Sequence, residues 1–397
     1  MSAVRSLPRA ALIGISGYGR IYLQLAREAA RRGELALVAA VVINPEEEAA
    51  AVAELRQMGC VIYADYQEML ARHRGELELC LIPTGIHWHT RMTLAALAAG
   101  ANVLVEKPLA GSLAEVESVR AAARAAGRFV AVGFQDYHEP ATHWLKQELI
   151  RGAIGPVRSV RFLGQWPRAR SYFARNNWAG RLAVDGVPVL DSPLNNAFAH
   201  FVNLSLFFAS PRPDESAAVE LESAELFRAH AIESFDTAVV RARTPEGVAV
   251  WLGVTHTCRT TREPEIIIAG DSGSIVWRHE QAAVLTDAHG EVLRREMSDS
   301  FVARHAMMDA VLRRLTDPAA QICSPDIAGR HTALIEAVQR AGTVVPVPAG
   351  SLAWQGEAAA AVPVVAGLEL ALDRAYASGS TLAAAGFAPG SASVAAS

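Results

Sequence analysis

The first third of the chain alternates short apolar runs with segments whose apolar residues recur every three or four positions. Runs such as ALIGI, LALVAAVVI and LELCLIP predict strands, and segments such as RIYLQLAREAARRG and LAEVESVRAAARAAG predict helices. Strands that alternate with helices form parallel sheets covered by helices on both faces. The pattern therefore predicts a doubly wound parallel α/β fold for residues 1–133.

The pattern changes after Gly133. A helical segment, ATHWLKQELIRG, is followed by several short segments in which apolar and polar residues alternate, such as TAVVRART and GSIVWRHE. Alternation of this kind, punctuated by glycine and proline, is typical of antiparallel hairpins. We expect residues 134–380 to form a second α/β domain with a mostly antiparallel open sheet. The small-residue stretch 381–397 is expected to be a disordered tail.

Length and charge narrow the functional classes. At 397 residues the chain exceeds the size of one hydrophobic core, which agrees with two domains. The net charge is −4 and both signs are interspersed, so no basic surface for nucleic acid is predicted. No apolar run is long enough to span a membrane and none resembles a signal peptide, so we expect a cytoplasmic protein. Four widely separated cysteines predict neither a disulfide framework nor a zinc site.

A glycine-rich segment, GISGYGRIY, lies between the first predicted strand and the first predicted helix. Gly17 and Gly19 allow a tight turn and a close backbone approach, with which a helix N-terminus holds a pyrophosphate. Tyr22 stands where a third glycine is usual and predicts a wider or shifted helix–strand crossing. An ordinary strand–helix turn is the alternative to a dinucleotide site. The predicted cofactor-binding residues of this turn are Gly17, Tyr18, Gly19, Arg20 and Ile21.

Asn44 ends the second predicted strand, where an acidic side chain usually binds the adenosine ribose. An amide still hydrogen-bonds ribose hydroxyls, but it does not repel a 2′-phosphate. No Arg or Lys is near in the sequence, and Glu46, Glu47 and Glu48 follow directly, which disfavours an additional phosphate. The cofactor is therefore expected to be NAD or NADP, with NAD favoured.

Two further polar segments follow predicted strands and therefore lie at the carboxyl edge of the sheet, where open α/β folds bind ligands. The candidate cofactor-binding residues are Pro83, Thr84, His87 and His89 in IPTGIHWH, with Glu106 and Lys107 in VLVEKP. The two histidines have no third ligand at local spacing, so no metal is expected, and His89 caps the next helix or lines the cofactor site. A lysine in such a place can have its pKa tuned for proton transfer; a surface salt bridge is the alternative.

The stretch DSPLNNAFAH lies just before the apolar run LSLFF. Ser192 followed by Pro193 is a good helix start, and a helix from that proline places Asn196 and His200 one turn apart on one face. Nine helical residues span about 13 Å, so a direct contact between Asp191 and His200 is not expected. Asp191 is instead expected to cap or brace the helix start. A buried structural histidine is the alternative to a catalytic one at this position.

The loop before this helix, RSYFARNNWAG, combines planar aromatic and hydrogen-bonding side chains. A polyhydroxylated ligand requires such a surface, since it presents apolar faces and a polar rim. An ordinary polar surface loop is the alternative. The predicted substrate-binding residues are Tyr172, Arg175, Asn177 and Trp178, with Asn196 and His200 on the helix and Gln135 and Tyr137 in GFQDYHEP.

Together, the segments GYGRIY, IPTGIHWHTRMTLAALAAGANVLVEKPLA and VAVGFQDYHEPA resemble the Gfo/Idh/MocA family, whose namesakes are glucose-fructose oxidoreductase, inositol dehydrogenase and a rhizopine catabolism protein. The resemblance is densest over residues 9–165. It implies a Rossmann domain and an NAD(P)-dependent oxidoreductase that moves a hydride between nicotinamide and a hydroxyl or keto carbon, commonly of a sugar or cyclitol. It also implies that Lys107 orients the substrate hydroxyl and that His200 is the acid/base.

Departures from the family pattern leave two alternatives open. The aspartate that the resemblance implies four residues before His200 is Asn196, and Tyr22 and Asn44 also depart from the pattern. A cofactor-binding sensor that has lost turnover is one alternative, although Lys107 and His200 are retained. An NAD-dependent glycosidase is the other. An exposed open sheet further predicts a homodimer or homotetramer.

Overall fold

The computed structural model describes residues 6–389, which divide into two compact units. One unit contains the chain up to His138 together with Phe301–Gly329. The other contains Glu139–Ser300 together with the chain from Arg330 onward. The sequence pattern places a single break after residue 133, and it does not predict that the chain returns to the first unit.

The first unit is built on a six-stranded sheet. Its strands are β1 (Arg9–Ile13), β2 (Ala36–Val41), β3 (Val61–Tyr63), β4 (Leu79–Ile82), β5 (Asn102–Val105) and β6 (Val130–Val132). The helices between them are α1 (Gly19–Arg31), α2 (Ala49–Gln57), α3 (Tyr66–Arg72), α4 (Ile86–Ala98) and α5 (Leu113–Ala126). All neighbouring strands are parallel, in the order β3-β2-β1-β4-β5-β6. The predicted doubly wound fold is confirmed.

A later helix completes the core of this unit. Helix α9 (Ser300–Arg314) buries Met307, Met308 and Val311 in the same apolar cluster as Leu12 of β1. Because these side chains fill the core, the segment belongs to the first unit although it follows the second domain's strands in the chain. Its own periodicity predicts a helix but not the sheet on which the helix packs.

The second unit is built on a nine-stranded sheet. After helix α6 (Pro140–Ile150) its elements are β7 (Val157–Gln165), α7 (Arg170–Phe173), β8 (Ala183–Val184), β9 (Val187–Pro188) and α8 (Ala199–Ala209). The strands that follow are β10 (Glu220–Arg228), β11 (Thr237–Arg243), β12 (Ala249–Thr255), β13 (Arg262–Gly270), β14 (Ser274–Arg278), β15 (Ala282–Thr286) and β16 (Val292–Glu296). The last elements are α10 (Pro325–Ala341), of which this unit contains the part from Arg330 onward, β17 (Val344–Pro346), β18 (Leu352–Gln355), β19 (Val362–Val365) and α11 (Leu368–Ser378).

The order of strands in this sheet is β16-β15-β14-β13-β7-β12-β11-β10-β17. The β7–β12 and β10–β17 pairs are parallel and the other pairs are antiparallel, so the predicted mostly antiparallel sheet is confirmed. Strand β7 shows how the two faces differ, because successive side chains point to opposite sides. The Phe162 ring packs on Phe198 and on Phe201 of α8, whereas Leu163 joins the apolar cluster of α11.

Part of the predicted disordered tail is packed. Leu382 and Phe387 are buried in the apolar cluster of α11, and the ring of Phe387 lies 5.4 Å from that of Phe227. These two apolar side chains anchor the small residues between them, so residues 381–389 correct the expectation of a tail. Residues 390–397 of that predicted tail lie outside the described residues.

Membrane, metal and disulfide features can be stated for residues 6–389. No helix in this range has both the length and the hydropathy needed to cross a bilayer. No group of three or more His, Cys, Asp or Glu side chains in this range could hold a metal ion. The four cysteines are buried and free of disulfide bonds.

Candidate functional site

The carboxyl ends of β1 and β4 lie side by side at the centre of the first sheet, where the strand order reverses. In the turn after β1, Gly14 and Gly17 have φ angles of +91° and +57°. A Cβ on Gly19 would lie 2.6 Å from the carbonyl oxygen of Gly14 and 3.7 Å from Pro83, so only glycine allows this close approach of α1. A Cβ on Gly14 would contact Thr84 at 3.5 Å. The turn after β1 and the loop after β4 therefore pack on each other.

The glycine turn fits a dinucleotide phosphate. A Cβ on Gly17 would meet no heavy atom within 4 Å, so the space in front of this residue is open to a ligand. Helix α1 begins at Gly19, and the side chain of the preceding Tyr18 makes no capping hydrogen bond. The N–H groups of Gly19, Arg20 and Ile21 bond to the backbone carbonyls three residues earlier, so the turn itself is closed. The positive end of such a helix attracts anions such as a pyrophosphate.

The close contact of α1 with the turn after β1 is made by Gly19, one helical turn before Tyr22. The Tyr22 side chain is buried, and its Oη donates a hydrogen bond to Oε1 of Glu106 at 3.1 Å. A Cβ on Gly133 would lie 2.6 Å from both of these oxygen atoms. The residue that departs from the glycine motif therefore links α1 to the end of β5.

Glu106 is a buried carboxyl, which excludes the exposed salt bridge that was the alternative here. Its Oε2 accepts a hydrogen bond from the backbone N–H of Lys107 at 2.8 Å, and the Lys107–Pro108 peptide bond is cis. Burial raises the pKa of Glu106 to about 7, although the Lys107 charge and the hydrogen bonds from Lys107 and Tyr22 act in the opposite direction. The carboxyl therefore titrates near neutral pH while it holds the Lys107 backbone.

The two histidines of IPTGIHWH lie in the first turn of α4, whereas the sequence places them in the loop before it. His89 is buried, with Nδ1 2.7 Å from the carbonyl oxygen of Pro108 and Nε2 3.0 Å from that of Thr84. Burial lowers the pKa of His89 to about 4, and a neutral ring donates to one of these carbonyls at a time. His89 thus braces the loops after β4 and β5, and its contact with a cofactor stays a prediction. His87 is half-buried, with its ring 5.7 Å from that of Trp88.

The end of β2 has polar contacts that the sequence does not reveal. Ser16 Oγ donates a hydrogen bond to Asn44 Oδ1 at 3.2 Å, and Asn44 Nδ2 donates to Glu47 Oε2 at 2.8 Å. Arg20 lies 28 residues before Glu48 in the chain, yet its Nη2 is 3.0 Å from Glu48 Oε1. This contact holds the pKa of Glu48 below its usual value. A cation is therefore present where the sequence suggests none, and a carboxylate pairs with it.

In the second unit, the helix that contains His200 begins later than predicted. Ser192 Oγ does accept a hydrogen bond from the backbone N–H of Asn195, at 3.2 Å. However, the N–H of Phe198 bonds to the carbonyl oxygen of Pro193, five residues back, at 2.9 Å. This turn is wider than an α-helical turn, so regular helix starts at Ala199 and not at the predicted proline.

His200 is the second residue of α8 and is buried. Asn196 lies in the wide turn before the helix and is half-buried. Its Nδ2 donates a hydrogen bond to the hydroxyl of Tyr172 at 3.4 Å. The structure therefore brings together Asn196 and Tyr172, two of the predicted substrate-binding residues, although they lie 24 residues apart.

Asp191 braces the loop that precedes this helix. Its Oδ2 accepts a hydrogen bond from the backbone N–H of Gly180 at 2.5 Å. Gly180 has a φ angle of +73°, and a Cβ there would lie 2.5 Å from Ile232. The carboxylate therefore fixes the end of the loop RSYFARNNWAG (residues 170–180, the aromatic loop), at a position where only glycine fits.

The aromatic loop gathers cations around one ring. The guanidinium carbon of Arg175 lies 3.6 Å from the centre of the Tyr172 ring and 5.2 Å from that of Trp178. Arg168, which belongs to no motif in the sequence, lies 4.7 Å from the Tyr172 ring and 5.5 Å from that of Trp166. Asn177 is exposed on the same loop. Predicted residues Tyr172, Arg175 and Trp178 thus form one cluster.

Histidines behind this cluster are structural. His256 is buried 5.7 Å from the Tyr172 ring, its Nδ1 lies 2.8 Å from the carbonyl oxygen of Trp166, and burial lowers its pKa to about 3. His230 Nδ1 lies 2.8 Å from Asp236 Oδ2, and both side chains are buried. Sequence spacing does not reveal the His256 contact, because its partner lies 90 residues away, whereas His230 and Asp236 lie in the same connection between β10 and β11.

Gln135 and Tyr137 lie in the first unit, on a 3₁₀ turn over Gln135–His138 that follows β6. Both side chains are buried. The rings of Tyr137 and His138 pack edge to face with their centres 5.1 Å apart. Their contact with a substrate stays a prediction.

Several known proteins are similar to this chain over most of its length. Inositol 2-dehydrogenase of Pseudomonas savastanoi is 25% identical over 321 residues, which are 78% of this chain and 88% of that protein. The WlbA dehydrogenase from Bordetella pertussis, solved with NADH and UDP-GlcNAcA, has a TM-score of 0.69 at 20% identity and covers 84% of this chain and 95% of that one. KijD10, a 3-ketoreductase from Actinomadura kijaniata solved with NADP, has a TM-score of 0.67 at 16% identity over 86% and 100% of the two chains.

Two family models match separate parts of the sequence. The oxidoreductase family with an NAD-binding Rossmann fold matches residues 9–134, and the GFO/IDH/MocA C-terminal domain matches residues 143–276. Together these ranges cover more than half of the chain. The chain therefore belongs to the Gfo/Idh/MocA family of NAD(P)-dependent oxidoreductases.

Proposed function

We propose that this protein oxidises a hydroxyl carbon, or reduces the corresponding keto carbon, of a sugar, a cyclitol or a related polyhydroxylated small molecule. The observation that carries the proposal is the position of Lys107. It follows β5 at the same sheet edge as the glycine turn, and its backbone is held by a buried carboxyl, Glu106. A lysine fixed at the cofactor edge of a Rossmann sheet can act on the oxygen of the reacting carbon.

Residues at this edge would hold a nicotinamide dinucleotide. The turn Gly17–Ile21 would bind the pyrophosphate, Asn44 the ribose, and Pro83, Thr84, His87 and Glu106 would line the loops after β4 and β5. When bound, the nicotinamide accepts or donates the hydride. We infer a preference for NAD, because the Arg20 guanidinium already pairs with Glu48 and both Glu47 and Glu48 oppose a 2′-phosphate.

During oxidation the substrate hydroxyl loses a proton as its carbon loses a hydride. We assign the proton to His200, which accepts it as a neutral imidazole, and the developing negative charge on oxygen to the Lys107 ammonium. Asn196 supplies a neutral hydrogen-bonding group one turn before His200, where the family pattern has a carboxylate. Reduction runs the same steps in reverse.

The remaining proposed contacts with substrate come from the polar and aromatic residues already placed. Tyr172 and Trp178 offer planar faces for the apolar side of a sugar ring, and Asn177 offers an amide at the rim. Gln135 and Tyr137 are proposed as further substrate-binding residues. An oligomer, expected from the open sheet, is tested by light scattering of the purified protein.

The test is an absorbance assay at the nicotinamide band. The purified protein is scanned against sugars, cyclitols and their keto forms with NAD and with NADP, and at least one substrate is expected to change the absorbance. Lys107→Met and His200→Ala are then each expected to abolish most turnover, and full turnover by both variants would refute the assignment. If the cofactor binds but no compound reacts, a sensor is the better description. Bond cleavage without net redox change would indicate a glycosidase.

A further inference from the structure

Two arginines flank the Tyr172 ring without a carboxylate partner. Arg168 and Arg175 lie 4.7 Å and 3.6 Å from the ring centre, and neither forms an ion pair anywhere in residues 6–389. One nitrogen of Arg175 donates a hydrogen bond to the carbonyl oxygen of Tyr172. The Nε of Arg168 is buried and has no hydrogen-bond partner in the described part of the chain. An unsatisfied buried donor is unusual for a guanidinium, so Arg168 is the exceptional one of the two, whereas Arg175 is exposed to water.

Two carboxylates of the second unit accept backbone N–H groups, and the charge of one of them, Asp191, also raises the pKa of Tyr172. Asp191 Oδ2 accepts the backbone N–H of Gly180, and Asp236 Oδ2 accepts the backbone N–H groups of Ala229 and His230. Arg158, an exposed arginine on β7, differs in that it forms an ion pair with Asp271 at 2.5 Å. The positive charge around Tyr172 is therefore not neutralised by a carboxylate ion pair, although the chain as a whole has a net charge of −4.

The field of these cations reaches the residues behind them. Burial is the main cause of the low pKa of His256, and the positive charges of Arg168 and Arg175 lower it further. Tyr172 itself is fixed from two sides, since its hydroxyl accepts a hydrogen bond from Asn196 and its ring packs edge to face on Phe173 at 5.1 Å. The two guanidinium groups are thus arranged on a held aromatic ring before any ligand arrives.

We propose that the substrate carries an anionic group, a carboxylate or a phosphate, and that Arg168 and Arg175 bind it beside Tyr172. A guanidinium presents parallel N–H groups that match the oxygens of either anion, and stacking on an aromatic ring keeps this fork in place. The proposal rests on the proposed function, because it names the class of polyhydroxylated molecule on which the enzyme acts. A sugar acid and a sugar phosphate share the required chemistry.

The experiment measures binding by calorimetry to the protein loaded with NAD+. Carboxylate probes are D-glucuronate and D-gluconate, the phosphate probe is D-glucose 6-phosphate, and the neutral probe is D-glucose. At least one anionic probe is expected to bind ~10-fold or more tightly than D-glucose, and added salt should weaken that binding. The two anionic arms distinguish a carboxylate from a phosphate site.

Variants assign the effect to the two arginines. Arg168→Met and Arg175→Met are each expected to weaken binding of the anionic probe ~10- to 100-fold, with a smaller effect on D-glucose. Arg181→Met removes an exposed arginine of the same loop and is the matched control, with both affinities unchanged. Arg168→Lys and Arg175→Lys keep the charge but remove the forked N–H groups, and they are expected to give intermediate affinities. These variants replace the methionine variants in the test if the latter do not fold.

The inference is overturned if D-glucose binds as tightly as every anionic probe, if no anionic probe binds, or if the arginine variants leave the ratio of anionic to neutral affinity unchanged. Because the readout is binding, it decides the inference even when no probe reduces NAD+. Failure of the proposed function has a different signature, namely no absorbance change with any compound of the sugar and cyclitol panel.

Discussion

The Tyr22 hydroxyl donates a hydrogen bond to Glu106 Oε1 at 3.1 Å, and the other oxygen of the same carboxyl accepts the backbone N–H of Lys107 at 2.8 Å. A residue of the first helix is thus connected through one buried carboxyl to the lysine proposed to act on substrate. Tyr22 is therefore a positioning residue, which explains a tyrosine at a place where the dinucleotide motif usually has glycine.

Tyr22→Phe removes the donor that stabilises the Glu106 carboxylate, so the pKa of Glu106 should rise above its value of about 7. We expect the acid limb of the kcat/KM profile to move to higher pH by up to about one unit, and the free energy of unfolding to fall by about 1 kcal/mol. The matched control is Tyr63→Phe, which removes a hydroxyl that lies 3.0 Å from His73 in the same unit. An unchanged pH profile in Tyr22→Phe, with the stability loss of the control, would reduce Tyr22 to a packing residue.

Glu48→Gln is expected to increase the use of NADP. Removal of the carboxylate charge frees Arg20 from its 3.0 Å contact, and the guanidinium can then bind a 2′-phosphate. The ratio of kcat/KM for NADP to that for NAD should rise ~10-fold, since a charged hydrogen bond contributes on this scale. Affinities of both cofactors, measured by fluorescence titration, provide a readout that does not require a substrate.

Two variants assign this change to Arg20. Glu46→Gln removes a charge from the same exposed segment and should leave the cofactor ratio close to that of the wild type. The double variant Arg20→Met, Glu48→Gln should lose the gain for NADP. A gain that persists without Arg20 would mean that general charge, and not this ion pair, sets the preference.

Lys146→Met should destabilise the second unit, because Lys146 caps the helix of His200. The buried Nζ donates hydrogen bonds to the carbonyl oxygens of Phe207 and Ser210 at 2.5 Å and 2.6 Å, at the end of α8. Loss of both bonds leaves two buried carbonyls without this donor and should cost about 1–3 kcal/mol in the free energy of unfolding. Arg151→Met, in an exposed pair with Glu148, is the control, and its stability should change by less than about 0.5 kcal/mol.

The same lysine predicts a pH dependence of stability. Burial lowers the pKa of Lys146 to about 7 in the folded protein, while the unfolded chain keeps the ordinary value near 10.5. Between these values the unfolded state binds more protons, so the contribution of Lys146 to stability rises with pH. The difference in melting temperature between wild type and Lys146→Met should therefore grow from pH 7 to pH 10. A constant difference would show that the lysine stays charged in the folded state.

The sequence predicts the features that depend on local pattern. It does not predict contacts between helices, strands or loops that are distant in the chain. Alternation of apolar runs and helical segments predicts both sheets, and glycine spacing predicts the turn at which Gly19 contacts Gly14. The Arg20–Glu48 pair and the packing of Met307 in the first core join distant segments, so no local periodicity encodes them.

The start of the helix that contains His200 is not predicted correctly, because alternative local hydrogen bonds compete there. Ser192 and Pro193 are good helix-starting residues, yet the five-residue turn that ends at Phe198 delays the regular helix to Ala199. Arg168 was missed because a single arginine beside Trp166 has no motif of its own. Its position becomes informative only when the fold places it next to Tyr172 without a carboxylate.

Asn196→Asp restores the acidic residue that the family pattern has four positions before His200. A carboxylate in the turn before α8 stabilises a positively charged imidazole, so the pKa of His200 should be higher in the variant than in the wild type. Since the proposed oxidation needs neutral His200, the acid limb of the kcat profile should move to higher pH by about one unit, while the rate at high pH changes little. A shift of this limb in Asn196→Asp would show that the amide at 196 sets the working pH range of His200, whereas an unchanged limb would show that residue 196 does not act on the imidazole.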